Sequence, residues 1–269
     1  MKSGFFQFPV AFGDRPTNLQ RIQQGLQDAA FDLLVLPELC TTGYLHASRA
    51  ALKPHAESAR DGATVAFLLT LSALKQATII AGIAERDGED IYNTAVVVSH
   101  GRWLGKQRKC HLSRIEKPLF NPGTALTCFD DGRCRFGVLT CFDLWVPEAA
   151  RVLVREGAQL LCSPANYGGP WTTALARVRA MENASPLIVC NRTGREQRTG
   201  VETHFRGESQ IIGTMGQALL EAAGDTCLGL HDLQMDAAAI KANLLCDDLM
   251  AEARRYVLSG PGAAGGASR

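Results

Sequence analysis

The sequence has no long apolar run and no block of charge of one sign. No window comes near the roughly 18 apolar residues that a membrane helix needs, and the apolar part of residues 1–7 is too short for a signal peptide. The 28 basic residues nearly balance the 27 acidic ones, and only short basic clusters occur, such as Arg195, Arg198 and Arg206. A nucleic-acid-binding protein usually carries a basic face. We therefore expect a cytoplasmic protein that binds neither nucleic acid nor membranes.

Paired cysteine motifs are also missing. None of the nine cysteines forms a C-x-x-C pair, so a structural zinc site is not expected. Their number is odd, and 269 residues are too many for a small disulfide-framework protein. Most of the cysteines are therefore expected to be small buried hydrophobic residues.

The composition is that of a globular chain with a large core. Hydrophobic residues make up 46% and charged residues 20% of the sequence, which excludes disorder for most of its length. No linker divides it, so we predict one domain over residues 1–258. Residues 259–269 are rich in glycine and alanine and lack an anchoring hydrophobic residue, which predicts a flexible C-terminal tail.

The order of apolar runs predicts an α/β fold. An apolar segment at 5–12 is followed by a turn and by a helix predicted from a cap at Asn18 to about Ala30. The run 33–36 comes next and is typical of a strand buried on both faces. Strand, helix and strand in this order are typical of an α/β protein. Further strands are predicted at 78–83, 94–98, 135–140, 160–163, 187–191, 210–213 and 218–221, and helices at 65–76, 147–156 and 172–183.

Glu38 directly follows the predicted strand 33–36. Strands in α/β folds deliver their C-terminal ends to clefts, so polar residues at these points are functional candidates. A carboxylate in partly apolar surroundings has a raised pKa and suits work as a general base. A helix-capping or ion-paired glutamate is the structural alternative.

Lys109 lies in the basic stretch 105–112, seven residues before Glu116. A lysine held near carboxylates can stabilise an oxyanion or move a proton. The structural alternative is a solvated basic loop.

Cys141 lies between the predicted strand 135–140 and the helix that begins at Pro147. The positive end of a helix lowers the pKa of a nearby thiol and favours the nucleophilic thiolate. A strand-to-turn-to-helix junction is also the geometry of other nucleophile elbows. The alternative is a core cysteine.

The order of these residues resembles the nitrilase, or carbon–nitrogen hydrolase, superfamily. Glu38 and Lys109 are 71 residues apart, and Cys141 follows 32 residues later. The resemblance extends over about residues 5–235. The stretches that carry it are 36–38, 108–112, 122–123, 140–148, 163–166, 179–183, 191–194 and 207–212.

The resemblance implies a role for each of four residues. Glu38 matches the general base, Lys109 the catalytic lysine, Cys141 the nucleophile, and Glu116 the second glutamate that positions substrate and lysine. The implied fold is a four-layer α-β-β-α sandwich, which usually pairs into an eight-layer homodimer or a higher homo-oligomer.

The implied chemistry is amide hydrolysis through a thioester, without metal or organic cofactor. Cys141 attacks the carbonyl carbon, Glu38 moves the protons, and Lys109 and the backbone N–H of Phe142 are candidate donors to the oxyanion. His111 would serve a rival papain-type Cys–His mechanism, but its place two residues after Lys109 favours a structural role.

The residues after Cys141 favour one branch of the superfamily. True nitrilases usually have Trp-Glu there, whereas this chain has Phe142-Asp143, as amidase-like and carbamoylase-like members have Tyr-Asp or Phe-Asp. We therefore expect hydrolysis of a small-molecule amide or N-carbamoyl amine. Nitrile hydrolysis and amidase-type acyl transfer are the alternatives, and a catalytically silent binding protein is a third.

The substrate pocket is predicted less directly. An arginine there would suit a substrate carboxylate, and a tryptophan at 145, where many relatives have a basic residue, would make the pocket more apolar. Asp143, Glu148 and Arg179 are expected to be structural. The candidate substrate-binding residues are Tyr44, Phe142, Trp145, Asn166, Tyr167 and Arg192, and Trp171 is a further candidate pocket residue.

Overall fold

Two six-stranded sheets form the centre of the fold. The computed structural model describes residues 1–198, 200–235 and 248–254. In the first sheet the second, third and fourth strands in spatial order run parallel, and the other neighbouring pairs are antiparallel. Its strands, in spatial order, are β14 (Cys227–Asp232), β1 (Lys2–Gln7), β2 (Leu33–Val35), β3 (Thr78–Asp87), β4 (Asp90–Ser99) and β5 (Arg102–Arg108).

The second sheet also has a parallel centre of three strands with antiparallel edges. The predicted pairing of residues 210–213 with 218–221 is confirmed at its edge. Its strands, in spatial order, are β13 (Ala218–Glu221), β12 (Gln210–Ile212), β9 (Leu187–Cys190), β8 (Leu160–Pro164), β7 (Arg135–Val138) and β6 (Cys128–Asp130). A separate two-stranded hairpin consists of β10 (Thr193–Arg198) and β11 (Val201–Arg206).

Helices cover the outer face of each sheet. Helices α1 and α3 pack on the first sheet, and α4 and α5 pack on the second. Two 3₁₀ helices occupy Lys53–His55 and Cys141–Trp145. The α-helices are α1 (Arg15–Gly25), α2 (Arg49–Leu52), α3 (Ala63–Lys75), α4 (Pro147–Arg155), α5 (Trp171–Glu182) and α6 (Leu249–Arg254).

Three stacked apolar layers make up the part of the core that lies between the helices and sheets, and a fourth cluster lies around Leu39 and Phe205. Ile22 of α1 and Ile79 of β3 belong to the layer between helices and first sheet, Phe5 and Ile188 to the layer between the sheets, and Leu153 to the layer under α4 and α5. Three apolar layers separate four layers of secondary structure. The predicted α-β-β-α sandwich is therefore confirmed.

Strand β2 shows why a continuous apolar run predicts such a fold. Leu33 and Val35 point into the layer between the sheets, and Leu34 and Leu36 point toward the outer helices. All four are fully buried, because successive side chains of a strand alternate between faces and both faces are covered.

The predicted start of α1 is wrong. The helix begins at Arg15, and the cap is Asp14, whose Oδ1 accepts a hydrogen bond of 3.0 Å from the N–H of Thr17. Pro16 fits the first turn, where its missing N–H is not needed, so the chain becomes helical before Asn18. The Asn18 side chain is buried instead and bonds to the backbone of Ala11.

No helix in the described part of the chain is long and apolar enough to cross a membrane. The predicted domain end at residue 258 and the tail 259–269 lie outside the described residues.

Candidate active site

The three residues singled out after strands all lie near strand ends in the fold. Glu38 follows β2, Lys109 follows β5, and Cys141 follows β7. The backbone of Lys109 is held on both sides, because its N–H donates to the carbonyl of Asn93 and its carbonyl accepts from the N–H of Gly123, both at 2.8 Å. Strands of both sheets thus deliver these side chains to one region.

Lys109, Glu38 and Glu116 form a buried cluster. The Lys109 Nζ lies 2.7 Å from Glu38 Oε1 and 2.6 Å from Glu116 Oε1. None of the three side chains is more than 1% exposed. One ammonium therefore lies between two carboxylates away from solvent.

Asn93 is a fourth member of the cluster that the sequence analysis missed. Its Nδ2 donates to Glu38 Oε1 at 2.6 Å and to Glu116 Oε1 at 2.9 Å. Asn93 is fully buried in β4. The one sign of it in the sequence is a polar residue directly before the apolar run 94–98.

The two oxygens of Glu38 have different surroundings. Oε1 accepts hydrogen bonds from both Lys109 and Asn93, whereas the buried Oε2 has no hydrogen-bond partner among the described residues. The neighbouring strand approaches the glutamate closely, since a Cβ added to Gly82 would lie 2.5 Å from the Glu38 Cα. Gly82 therefore sets the position of the Glu38 backbone.

Cys141 begins a tight turn with its backbone at φ 48°. The turn, residues 140–145, is fixed by Asp143, whose Oδ2 accepts from the N–H of Thr140 at 3.0 Å. Its Oδ1 accepts hydrogen bonds from the N–H and Nδ1 of His111, both at 2.8 Å. Arg179 of α5 donates from Nε to the carbonyl of Leu144 at 2.7 Å. These contacts agree with the structural roles expected of Asp143, His111 and Arg179.

The pKa values within the cluster follow from burial and charge. Burial raises the pKa of Glu38 to about 7, and Glu116 adds to this while Lys109 opposes it. Burial alone would lower the pKa of Lys109, but the charges of Glu38, Cys141 and Glu116 outweigh it and raise the pKa well above its ordinary value. Burial acts to raise the pKa of Glu116, but Lys109 acts in the opposite direction, and the pKa is lowered overall. The lysine therefore stays charged, and Glu38 titrates near neutrality.

The predicted lowering of the Cys141 pKa is wrong. Burial and the negative charge of Glu38 raise the pKa of the thiol well above its ordinary value, although Lys109 and the backbone N–H of Asn166 favour the thiolate. A short 3₁₀ helix follows the residue, and its dipole does not outweigh the loss of hydration. The resting group is thus a neutral thiol.

Two predicted pocket residues, Phe142 and Trp145, belong to this turn, and a third, Asn166, lies close to it. The backbone N–H of Asn166 acts on the Cys141 thiol, and both polar atoms of its side chain are buried without a partner among the described residues. Phe142 is half-buried and stacks with the exposed Trp145, their ring centres 6.3 Å apart. A cavity of about 500 Å³ opens beside Phe142 and His111.

The remaining aromatic candidates are held by hydrogen bonds. The Tyr44 hydroxyl lies 3.3 Å from Ser113 Oγ. The Tyr167 hydroxyl donates to the carbonyl of Glu208 at 2.9 Å. Both tyrosines are buried, whereas Trp171 is 71% exposed.

Arg192 lies inside the protein. Its side chain is fully buried, ion-paired with Glu196, and its Nη2 donates to the carbonyl of Val10 at 2.7 Å. The guanidinium also stacks over the Phe205 ring at 4.3 Å. Its connection with the site runs through Glu196, which binds the backbone at Tyr44.

The described residues contain no group of three or more His, Cys, Asp or Glu side chains arranged to hold a metal ion.

Comparisons with known proteins identify the family. A sequence model of the carbon–nitrogen hydrolase family matches residues 5–242. The chain is 38% identical over 192 residues to a nitrilase of Pyrococcus abyssi, covering 71% of this chain and 72% of that protein. It is 30% identical over 266 residues to an (R)-stereoselective amidase of Pseudomonas sp., covering 97% of this chain and 93% of that protein.

Solved structures give the same result. An amidase from Nesterenkonia sp. matches with a TM-score of 0.76 and 25% identity over 96% of each chain. XC1258 of Xanthomonas campestris, a CN-hydrolase superfamily protein with an arsenic adduct in the active site, matches with a TM-score of 0.77 and 25% identity over 100% of this chain and 98% of that one. The present chain therefore belongs to the carbon–nitrogen hydrolase family of the nitrilase superfamily and is an enzyme that hydrolyses carbon–nitrogen bonds.

Proposed function

We propose that this enzyme hydrolyses a small-molecule amide or N-carbamoyl amine through a thioester on Cys141, with Glu38 as the general base. The observation that carries the proposal is the unequal state of the Glu38 oxygens. Oε1 is held by Lys109 and Asn93, and Oε2 has no partner among the described residues. A positioned carboxylate oxygen is thus available to accept a proton.

Acylation begins with the neutral thiol. The Cys141 Sγ forms a bond to the substrate carbonyl carbon while the thiol proton passes to Glu38 Oε2. The raised pKa of the thiol means that this proton must be removed during attack, and a glutamate with a pKa of about 7 suits that task.

Lys109 is suited to stabilising the tetrahedral oxyanion that forms. An ammonium has three N–H donors, and two of them are directed at Glu38 and Glu116. The third, with the backbone N–H of Phe142, is our candidate donor pair. Protonated Glu38 then gives its proton to the substrate nitrogen, the C–N bond breaks, and ammonia or an amine leaves.

Hydrolysis of the thioester repeats the same proton transfers. Water attacks the carbonyl carbon as Glu38 takes one of its protons. The C–S bond then breaks, and Glu38 returns the proton to the sulfur, which restores the resting thiol and releases the acid.

Glu116 serves to hold the lysine. Its pKa is lowered overall by Lys109 against the effect of burial, so the carboxylate remains an acceptor for Nζ across the neutral range. We assign it the positioning of Lys109 and of the substrate.

The amide substrate class is supported by two observations. Phe142-Asp143 follows the nucleophile. A relative that aligns with 97% of this chain is an (R)-stereoselective amidase. Nitrile hydrolysis is the second candidate, because the Pyrococcus relative is named a nitrilase. Pairing into a homodimer remains a prediction from the resemblance, which sedimentation equilibrium would test.

The test is ammonia release from a panel of small amides, N-carbamoyl amines and nitriles. Cys141→Ala is compared with Cys110→Ala, a second half-buried cysteine whose Sγ lies 3.4 Å from the carbonyl of Ala125. We expect turnover of amides or carbamoyl compounds that Cys141→Ala abolishes and Cys110→Ala retains. Turnover of nitriles alone would overturn the substrate class, and turnover by Cys141→Ala would overturn the mechanism.

A further inference from the structure

We propose that Glu196 is a positioning residue for the active site, because its carboxylate fixes the backbone at Tyr44 and thereby the contacts of Glu116 and Lys109. The inference rests on the proposed function of that cluster and adds a residue from outside it. Glu196 lies on β10, far in sequence from the strands that carry the cluster.

The Glu196 carboxylate binds two successive backbone amides. Its Oε2 accepts from the N–H of Tyr44 at 3.0 Å and from the N–H of Leu45 at 2.8 Å. Glu196 is 5% exposed, so water does not compete for these bonds. In the described part of the chain β10 pairs along its length only with β11, and Glu196 joins this hairpin to the Tyr44 loop.

The charge of Glu196 is balanced inside the protein. Its Oε1 accepts from the buried guanidinium of Arg192, four residues earlier. Gly43 allows the loop to approach, because its φ is +79° and an added Cβ would lie 2.9 Å from Glu196 Oε1. A buried carboxylate that accepts hydrogen bonds from a guanidinium and from backbone amides is held in one position.

A chain of hydrogen bonds leads from Tyr44 to the lysine. The Tyr44 hydroxyl lies 3.3 Å from Ser113 Oγ, and the Ser113 N–H donates to Glu116 Oε2 at 2.9 Å. The other Glu116 oxygen accepts from Lys109. Tyr44 also packs edge-to-face against Phe205 of β11, with ring centres 6.1 Å apart. Displacement of Tyr44 therefore loosens the hold on Glu116.

This series of hydrogen bonds predicts a measurable change in the pKa of Glu38. Lys109 and Glu116 are the charged groups that act most strongly on Glu38, and Glu116 raises its pKa. The Cys141 thiol and the Tyr44 hydroxyl also lie within reach of the Glu38 charge. If Glu116 moves away, the acidic limb of the pH–rate profile shifts to lower pH. Loss of folded protein alone would change the amplitude of that profile and not its midpoint.

The test compares Glu196→Gln with Tyr44→Phe. The glutamine retains the size of the side chain but replaces one acceptor oxygen with an NH₂ group. In either orientation that group meets N–H donors, from Arg192 or from the backbone amides of Tyr44 and Leu45. The matched control is Glu202→Gln on the same hairpin. The Glu202 side chain is exposed, and its contact among the described residues is with Arg195 at 3.5 Å.

Two quantities are measured as a function of pH: turnover of an amide substrate, and the rate at which iodoacetamide alkylates Cys141, assigned by peptide mass. For Glu196→Gln and Tyr44→Phe we expect kcat to fall about tenfold with a KM change below about threefold, since the lysine acts mainly on the transition state. Both profiles should shift to lower pH, and Glu202→Gln should match the wild type.

A wild-type midpoint in both variants, with activity lost only in proportion to folded protein, would overturn the inference. If Glu196→Gln does not fold, Glu196→Asp decides, because it keeps the charge beside Arg192 and shortens the reach of the carboxylate to the two backbone amides. Failure of the proposed function is seen separately, as turnover that survives Cys141→Ala in the chain with Glu196 intact.

Discussion

Lys109 and Glu38 form an ion pair with Nζ and Oε1 2.7 Å apart and neither side chain exposed to solvent. Glu116 binds the same ammonium from the other side. Charges buried in this way need their partners, because removal of one partner leaves an uncompensated charge out of water. The stability of the region and its chemistry therefore depend on the same contacts.

Lys109→Met should destabilise the protein and slow turnover. The change leaves Glu38 and Glu116 buried without their cation, so we expect a loss of about 3–5 kcal/mol in the free energy of unfolding, measured by urea denaturation at neutral pH. Loss of the oxyanion donor should lower kcat by about 10²- to 10³-fold.

The control for this change is Lys106→Met. Lys106 is 33% exposed and pairs with Glu85, which Arg108 also binds. Lys106→Met should lower the free energy of unfolding by no more than about 1 kcal/mol. Equal destabilisation by the two variants would contradict the importance given to the buried pair.

The rate of amide hydrolysis should rise with pH through about 7. Glu38 acts as a base only when it is ionised, and burial raises its pKa to about 7. Below that value the carboxyl is protonated and cannot accept the thiol proton, so kcat/KM falls as the pH falls. A pH profile of kcat/KM from 5 to 9 checks this, and a value that stays constant from pH 5 to 7 would contradict the assignment of Glu38.

Gly82→Ala should disturb the site from the neighbouring strand. An added Cβ would lie 2.5 Å from the Glu38 Cα and 2.6 Å from the Leu39 nitrogen, and backbone atoms cannot yield cheaply. We expect the free energy of unfolding to fall by about 1–3 kcal/mol and turnover to be reduced. The control Gly169→Ala has no atom within 4 Å of its added Cβ, and it should stay close to the wild type in both thermal unfolding and activity.

Patterns in the sequence were sufficient to predict an α/β fold and to single out the main residues of the candidate site. Runs such as 33–36 show burial on both faces through their composition alone, and Glu38, Lys109 and Cys141 stand where strands end. The family resemblance then supplied the layer order, which periodicity could not, because strand patterns do not say which sheets pack together.

Long-range contacts were beyond sequence reasoning. Asn93 belongs to the cluster through strand pairing that brings β4 beside β5, and Glu196 reaches a loop about 150 residues away. The error at Cys141 has a similar origin, since the local helix was visible in the sequence whereas the surrounding protein and the Glu38 charge were not. The state of a side chain depends on neighbours that the fold brings together.

The most direct test of the mechanism is to look for the thioester on Cys141. The enzyme is mixed with an excess of an amide substrate, quenched in acid during turnover, digested and analysed by mass spectrometry. We predict that the acyl group is found on the peptide that contains Cys141, that it is removed by hydroxylamine, and that it is absent from Cys141→Ala. Acylation of another residue, or ammonia release by Cys141→Ala at the wild-type rate, would contradict the mechanism.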